Sequence, residues 1–219
     1  MKKENKRNRF SRFTAKPIDS TNSQLFNAMN SICVFCGSSP GANGAYADAA
    51  RKFGTLLAQN DITLIFGGGK VGLMGQLADA ALTNGGKVIG VIPEALMRKE
   101  VAHDGLTAMH VMPNMHERKA LMYKLSDAFV ALPGGTGTLD ELFEVFTWLQ
   151  LGYLHKPIGL LNVHGYYDHL ASFLHHTVAE RFVKAEQLED LLVDDDAASL
   201  LARLKNHTPK QIDKWVDRK

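Results

Sequence analysis

The sequence predicts an α/β fold, a doubly wound parallel sheet with helices on both faces. Three observations carry this. Short apolar runs alternate with stretches of helical spacing from Ser31 to about Leu204, the pattern of a parallel sheet covered on both sides. Three of those runs end in turns of small residues: Gly37-Ser38-Ser39, then residues 67–75, then residues 134–138. Such a sheet takes its ligand beyond the strand carboxyl ends, where strand order reverses. Finally, 219 residues that are 45% hydrophobic can bury one ordinary core.

Residues 32–35 are a first strand, stopped by Gly37-Ser38-Ser39-Pro40. Helical spacing over 46–58 leads to a second strand at 62–66, then to Gly67-Gly68-Gly69-Lys70-Val71-Gly72-Leu73-Met74-Gly75 and a helix to about Leu82. A third strand at 88–92 closes at Pro93, and a loop with Glu100 and His103 precedes a short strand near 109–112. The helix 115–125 opens on Asn114, with Glu117 placed for a capping box. A buried strand at 128–132 enters Pro133-Gly134-Gly135-Thr136-Gly137-Thr138-Leu139-Asp140-Glu141, and a helix over 142–153 leaves it. A strand at 158–163, a helix from 167 to about 181, an edge strand at 191–193 and a helix through Leu204 complete the set. Asp194 or Asp195 is the expected cap of the last helix.

Charge is unevenly placed. Residues 1–16 hold seven Lys/Arg and one acid, whereas from residue 31 onward there are 18 basic and 21 acidic side chains, a balance of −3. The overall charge of +2 therefore describes an arm, and no nucleic-acid surface is expected on the folded part. That arm, residues 1–30, lacks apolar periodicity and is expected to be disordered. It has no apolar h-region, and no run approaches the ~18 apolar residues that span a bilayer. Residues 207–219 are read as a tail. The two cysteines, Cys33 and Cys36, lie three apart in a strand-like run and so point to opposite faces. They read as core thiols of a cytoplasmic protein, not as a redox or zinc pair. Nine histidines include no i,i+4 pair with a completing carboxylate or thiol, so no metal is expected.

The glycine turn at 134–138 has no side chain bulky enough to shield its backbone N–H groups. Glycine lets a ligand approach the main chain, and the N–H groups of the next helix favour an anion. Two readings of Glu141 stay open. It is a carboxylate facing that anion site, or it closes a Thr138-x-x-Glu141 capping box. The turn at 67–75 satisfies G-x-G-x-x-G through Gly67, Gly69 and Gly72, with Glu94 twenty-two residues beyond the last of them. A nicotinamide enzyme normally carries one such turn, on its first strand. Two short cradles facing one crevice suit a mononucleotide better, although tight strand-to-helix packing also explains these glycines. Arg118 and Lys119 fall in the first turns of their helix, where its dipole disfavours cations. Arg118 shares a face with Met115, Met122 and Leu125, and a buried arginine needs an anionic partner.

Gly67-Gly68-Gly69-x-x-Gly72-Leu73-Met74-Gly75, Met115-His116-x-Arg118-Lys119 and Pro133-Gly134-Gly135-x-Gly137-Thr138-x-x-Glu141 together resemble the Lonely Guy (LOG) family. Its members are cytokinin riboside 5′-monophosphate phosphoribohydrolases, many formerly labelled lysine decarboxylases. The resemblance, from about Ser31 to Val183, implies a Rossmann-like fold, usually dimeric, that hydrolyses the N-glycosidic bond of adenine-type nucleoside monophosphates without cofactor. It implies Arg118 and Glu141 as the catalytic pair. Substrate contacts are implied for Glu100, Lys119, Gly134, Gly135, Thr136, Gly137, Thr138, Leu139, Asp140 and Thr147. The other two turns add Gly37, Ser38, Gly67, Gly68 and Gly69 as expected contacts. Thr136 stands where plant members usually carry Tyr, which leaves the base, cytokinin-type or plain adenine, open.

Cleaving a ribosyl C–N bond develops oxocarbenium character. Glu141 is suited to stabilise that charge, and Arg118 to meet either the phosphate or the departing base. A lysine decarboxylase would need pyridoxal phosphate on a Schiff-base lysine, and Lys70 and Lys119 both lie in phosphate-binding surroundings. A nucleotide-binding module without turnover and an NAD-dependent oxidoreductase are the alternatives. The helix at 142–153 is apolar around most of its circumference and is expected to join a symmetric dimer.

Overall fold

The computed structural model describes residues 29–97 and 102–210. The expectations for most of the arm, for Glu100 and for the chain past Lys210 lie outside the described residues. Seven strands, β1 (Ser31–Phe35), β2 (Thr63–Phe66), β3 (Val88–Pro93), β4 (Ala108–Met112), β5 (Ala128–Ala131), β6 (Ile158–Leu161) and β7 (Leu191–Asp194), form one parallel sheet in the order β4-β3-β2-β1-β5-β6-β7. The helices are α1 (Gly44–Gln59), α2 (Gly72–Thr83), α3 (Glu94–Met97), α4 (Met115–Leu125), α5 (Thr136–Gln150), α6 (Asp168–Ala179), α7 (Ala185–Leu188) and α8 (Ala197–Asn206).

The two-residue period of the strands divides the core. Ile32 and Val34 of β1 join Leu64, Phe66 and Val130 under α1, α2 and α8, whose Phe53, Leu57, Leu77 and Leu204 cover that face. Cys33 and Phe35 point the other way, into a layer with Phe129, Met122 of α4, Phe146 of α5 and Leu174 of α6. The thiols at 33 and 36 accordingly belong to different layers, both buried and unpaired. No helix among the described residues is long and apolar enough to cross a membrane.

Several boundaries differ from the sequence pattern, each for a local reason. α5 begins at Thr136, six residues ahead of the first apolar position that marked it, because its first turn is made of small residues with no periodic signal. It stops at Gln150, just before Gly152 takes φ +75°, a left-handed conformation that ends helices. The cap of α8 is Asp196, whose carboxylate accepts from Ser199 N at 2.7 Å. Asp194, expected as a cap, instead ends β7 and accepts from Ser199 Oγ and Arg203. α3, α7 and a 3-10 turn at Val163–Gly165 are too short to show a period. After α8 the chain folds back on Asp190: His207 Nε2 lies 2.9 Å from its carboxylate, and Lys210 N donates to it at 3.2 Å.

Candidate active site

The chain builds β1 to β4 outward on one side, then returns to place β5 on the other side of β1. Strand order therefore reverses between β1 and β5, and two of the three glycine turns meet there. Gly37 N donates to Pro133 O at 3.0 Å. At Gly134 a Cβ would strike Thr138 Oγ1 and lie 2.8 Å from Gly37 N, so only glycine fits. Two neighbouring tyrosines hold this turn from behind, as Tyr166 donates to Gly134 O and Tyr167 to Leu132 O, each at 2.6 Å.

Gly135 is the N-cap of α5, with no side-chain hydrogen bond capping it. Thr138 is the third residue of the helix and is buried, so the Thr138–Glu141 capping box does not form. Gly135, Thr136 and Gly137 are exposed, and a Cβ on Gly135 or Gly137 would meet nothing within 4 Å. An uncapped helix start with open space over its N–H groups has the electrostatics and the room that an anion requires. Ser38, just past the end of β1, is exposed. Gly135→Ala should therefore leave Tm unchanged yet raise KM markedly, if a phosphate occupies that space. Unaltered kinetics would show that the substrate does not approach this turn.

Glu141 turns inward from the second turn of α5. Its Oε1 accepts from Arg118 Nη1 at 2.7 Å, and both side chains are nearly buried, 13% and 11% exposed. Arg118 is tied on a second side, since Nε donates to Val91 O of β3 at 3.0 Å, and Nη1 also lies 3.3 Å from Met115 Sδ. The guanidinium is thus enclosed, and the anionic partner its burial required is Glu141. Burial pushes the Glu141 carboxyl above its ordinary range, while the Arg118 charge and hydrogen bond pull it back without cancelling the rise.

The turn after β2 does a different job from the one after β5. A Cβ on Gly67 would collide with the Arg118 guanidinium, so this glycine makes room for the ion pair. Gly68 O accepts from His103 N at 2.9 Å, and Gly69 forms a bridge with Ala102, which ties this main chain to the loop before β4. Gly72, at φ +63°, and Gly75 abut the backbone of Ser38 and Lys70. Those two glycines serve close packing.

Beside the pair lies a second charge cluster. Lys119 is buried and holds Asp140 at 3.2 Å and Glu144 at 2.8 Å. Burial opposes its ammonium, but the hydrogen bonds to Glu144 and Asp140 outweigh that and raise its pKa. Tyr123 donates to the same Glu144 carboxylate. Thr136, Leu139, Asp140 and Thr147 line an open groove of about 600 Å³ along the outer face of α5, with Phe143 and Trp148. Glu144 and Tyr123 escaped the sequence reading. The available signal was tandem spacing, with Arg118-Lys119 on one helix facing Asp140, Glu141 and Glu144 on the other. Tyr166 and Tyr167 gave no signal at all.

The sequence profile of a family described as "Possible lysine decarboxylase" matches residues 74–204, a span that includes Arg118 and Glu141. The chain is 47% identical over 179 residues to the cytokinin riboside 5′-monophosphate phosphoribohydrolase LOG1 of Arabidopsis thaliana, covering 82% of this chain and 84% of that one. A cytokinin riboside 5′-monophosphate phosphoribohydrolase of Rhodococcoides fascians is 44% identical over 191 residues, covering 87% of this chain and 96% of that one. The chain belongs to the LOG family. Among solved structures, a molybdenum cofactor binding protein of Rippkaea orientalis superposes with TM-score 0.63 at 20% identity, over 81% of this chain and 96% of that one. The molybdenum cofactor carrier protein of Chlamydomonas reinhardtii gives 0.61 at 22%, over 81% and 97%. At that identity the likeness is one of fold, and the LOG sheet is shared with proteins of other function.

Proposed function

We propose that this LOG-family chain hydrolyses the N-glycosidic bond of an adenine-type nucleoside 5′-monophosphate, either a cytokinin riboside 5′-monophosphate or AMP, to the free base and ribose 5-phosphate. The observation that carries this is the enclosed Arg118–Glu141 pair beside the uncapped start of α5 at the switch point. An anion cradle next to a single desolvated carboxylate suits a phosphorylated sugar whose neighbouring carbon becomes cationic.

In this reading the N–H groups opening α5 take the phosphate, helped by Gly134, Thr136, Gly137 and Ser38. Glu141 stabilises positive charge at C1′ and orients the water. The water oxygen bonds to C1′ as the C1′–N9 bond breaks, and the water's proton balances the departing base. Arg118 opposes the rise that burial imposes on the Glu141 carboxyl, so its first partner is the carboxylate. Lys119, with Asp140 and Glu144, shapes the adjoining groove where Leu139 and Thr147 meet substrate, and Thr136 sets room for the base.

A decarboxylase fits these residues poorly. A Schiff-base lysine must shed its proton readily, whereas Lys119 is held by two carboxylates that raise its pKa. Lys70 is half-exposed and faces Asp104 at 3.6 Å. Incubation with a panel of nucleoside monophosphates, read by chromatography, should release free adenine-type base and ribose 5-phosphate in equal amounts. No base from any member of the panel would overturn the reading.

The same reading makes the protein a cytoplasmic homodimer. Leu139, Phe143 and Trp148 are half-buried on the outer side of α5, more apolar surface than its core-facing stripe requires. Two such faces would pack about a twofold axis. Light scattering at micromolar concentration should give twice the chain mass; a monomer would refute it.

A further inference from the structure

Three successive carbonyls lead the chain into the glycine turn after β5, and each is held from outside the turn. Tyr167 donates to Leu132 O at 2.6 Å, Gly37 N to Pro133 O at 3.0 Å, and Tyr166 to Gly134 O at 2.6 Å. A trans peptide unit is planar, with its C=O and N–H pointing opposite ways, and these units are trans. Fixing a carbonyl therefore aims the N–H of the residue that follows. Pro133 O sets the Gly134 N–H, and Gly134 O sets the Gly135 N–H at the uncapped start of α5. Among the described residues no hydrogen bond takes up either N–H. The Thr138 hydroxyl beside Gly134 also has no partner among the described residues, although Thr138 is only 4% exposed and its oxygen is not sealed from solvent. Polar groups left open at one turn, one of them on a buried side chain, are completed by a ligand.

Glycine alone does not hold such a plane. The 134–135 peptide has glycine on both sides, and glycine takes either sign of φ readily. The plane can flip and turn its N–H away unless the carbonyl is tied. The tie comes from a strained piece of chain. After β6 the backbone passes through two left-handed residues, His164 at φ 51° and Gly165 at φ 67°. For a histidine that region is uncommon, and such backbone persists where its surroundings fix it, as they do at ligand clamps. Asn162 fixes it here, since Oδ1 accepts from Tyr167 N at 2.7 Å and Nδ2 donates to Asp168 Oδ1 at 2.8 Å. The bend turns two consecutive tyrosines back onto the β5 turn. Tyr167 is 1% exposed and packs in the core, whereas Tyr166 is 41% exposed and buries much less. The ring of Tyr166 leans edge-on against Tyr46 and Tyr167, at 5.6 and 5.0 Å, and holds its hydroxyl on Gly134 O.

We propose that Tyr166 is a positioning residue for the substrate's phosphate: its hydroxyl locks the Gly134–Gly135 peptide so that the Gly135 N–H stays aimed at the anion. The inference rests on the reading that the start of α5 takes that phosphate. The neighbouring tyrosine supplies the control, because the peptide nitrogen after Leu132 belongs to Pro133 and has no N–H to aim. Tyr166→Phe removes one oxygen and keeps the ring. Ribose 5-phosphate, titrated by calorimetry into the full chain, should bind this variant about tenfold more weakly than wild type. KM for the monophosphate should rise in step, with kcat within about threefold and Tm nearly unchanged. Tyr167→Phe should show the reverse order, the larger drop in Tm and the smaller change in affinity. If that variant does not fold, adenosine is the control: lacking the phosphate, it should bind Tyr166→Phe and wild type equally. Undiminished affinity for ribose 5-phosphate in Tyr166→Phe would overturn the proposal. Equal weakening in the two tyrosine variants, a parallel loss for adenosine, or no binding of ribose 5-phosphate to wild type would overturn it too. Calorimetry needs no turnover, so Tyr166-dependent binding without release of base would keep the positioning role and overturn only the hydrolase reading.

Discussion

Glu141→Gln is expected to lower kcat on the order of 10²-fold or more, by analogy with the loss of a single electrostatic stabiliser. KM should change far less, because the group acts mainly on charge that exists in the transition state. The amide keeps the shape of the side chain, and its oxygen can still accept from Arg118. The guanidinium, however, loses its countercharge in an enclosed setting, where leaving one partner unmatched costs about 3–5 kcal/mol in unfavourable cases. A lower Tm should accompany the kinetic loss, so rates must be compared well below both melting temperatures. Cleavage of AMP, or of whichever monophosphate proves best, within about threefold of wild type would remove Glu141 from the chemistry.

Arg118→Met should have the second large effect, and pH separates its causes. Burial already raises the Glu141 carboxyl, and Arg118 is the strongest influence opposing it. Removing that charge leaves burial less opposed, and a close opposite charge is worth ~1–3 pKa units. The acid limb of kcat/KM should therefore move to higher pH, because activity needs the carboxylate and is lost as pH falls through its pKa. Stability runs in the opposite sense. A carboxyl whose pKa is raised on folding holds its proton more tightly in the folded state, so its contribution worsens as pH climbs from the ordinary carboxyl range through the raised value. In Arg118→Met that window widens upward. Activity that falls equally at all pH, with the limb unmoved, would mean that Arg118 acts on the substrate and not through Glu141. Arg118→Lys should recover part of the limb position, since it restores charge without the planar fork that reaches Val91 O.

The strands were legible as far as periodicity reaches. Uninterrupted apolar runs such as Ala128 to Leu132 mark buried parallel strands, and each has a strand near the expected place. The start of α5 was not legible, because Thr136-Gly137-Thr138 has the composition of a loop and becomes helical only through tertiary context. The catalytic candidates were visible through their oddity. A cation in the first turn of α4 on an apolar face demands a partner, and the structure supplies one from α5. The sequence could not say that this partner was Glu141 and not the ligand, since only the fold brings residues 118 and 141 together. Nor could it separate the two glycine turns. Gly67 and Gly72 look like a cradle on paper, yet the first clears space for a guanidinium and the second meets the backbone of Ser38.

Cys33 and Cys36 hold a use beyond packing. Burial pushes both thiols well above their usual range, and the charge of Glu141 adds to the rise, so almost no thiolate exists to react while the fold is intact. Alkylation of either sulfur must wait for the chain to open around it. Because one thiol belongs to the layer under α1 and α2 and the other to the layer under α4 and α5, the pair acts as two independent clocks. Equal labelling rates would time a single concerted rupture of the molecule, and unequal rates would reveal which half lets go first.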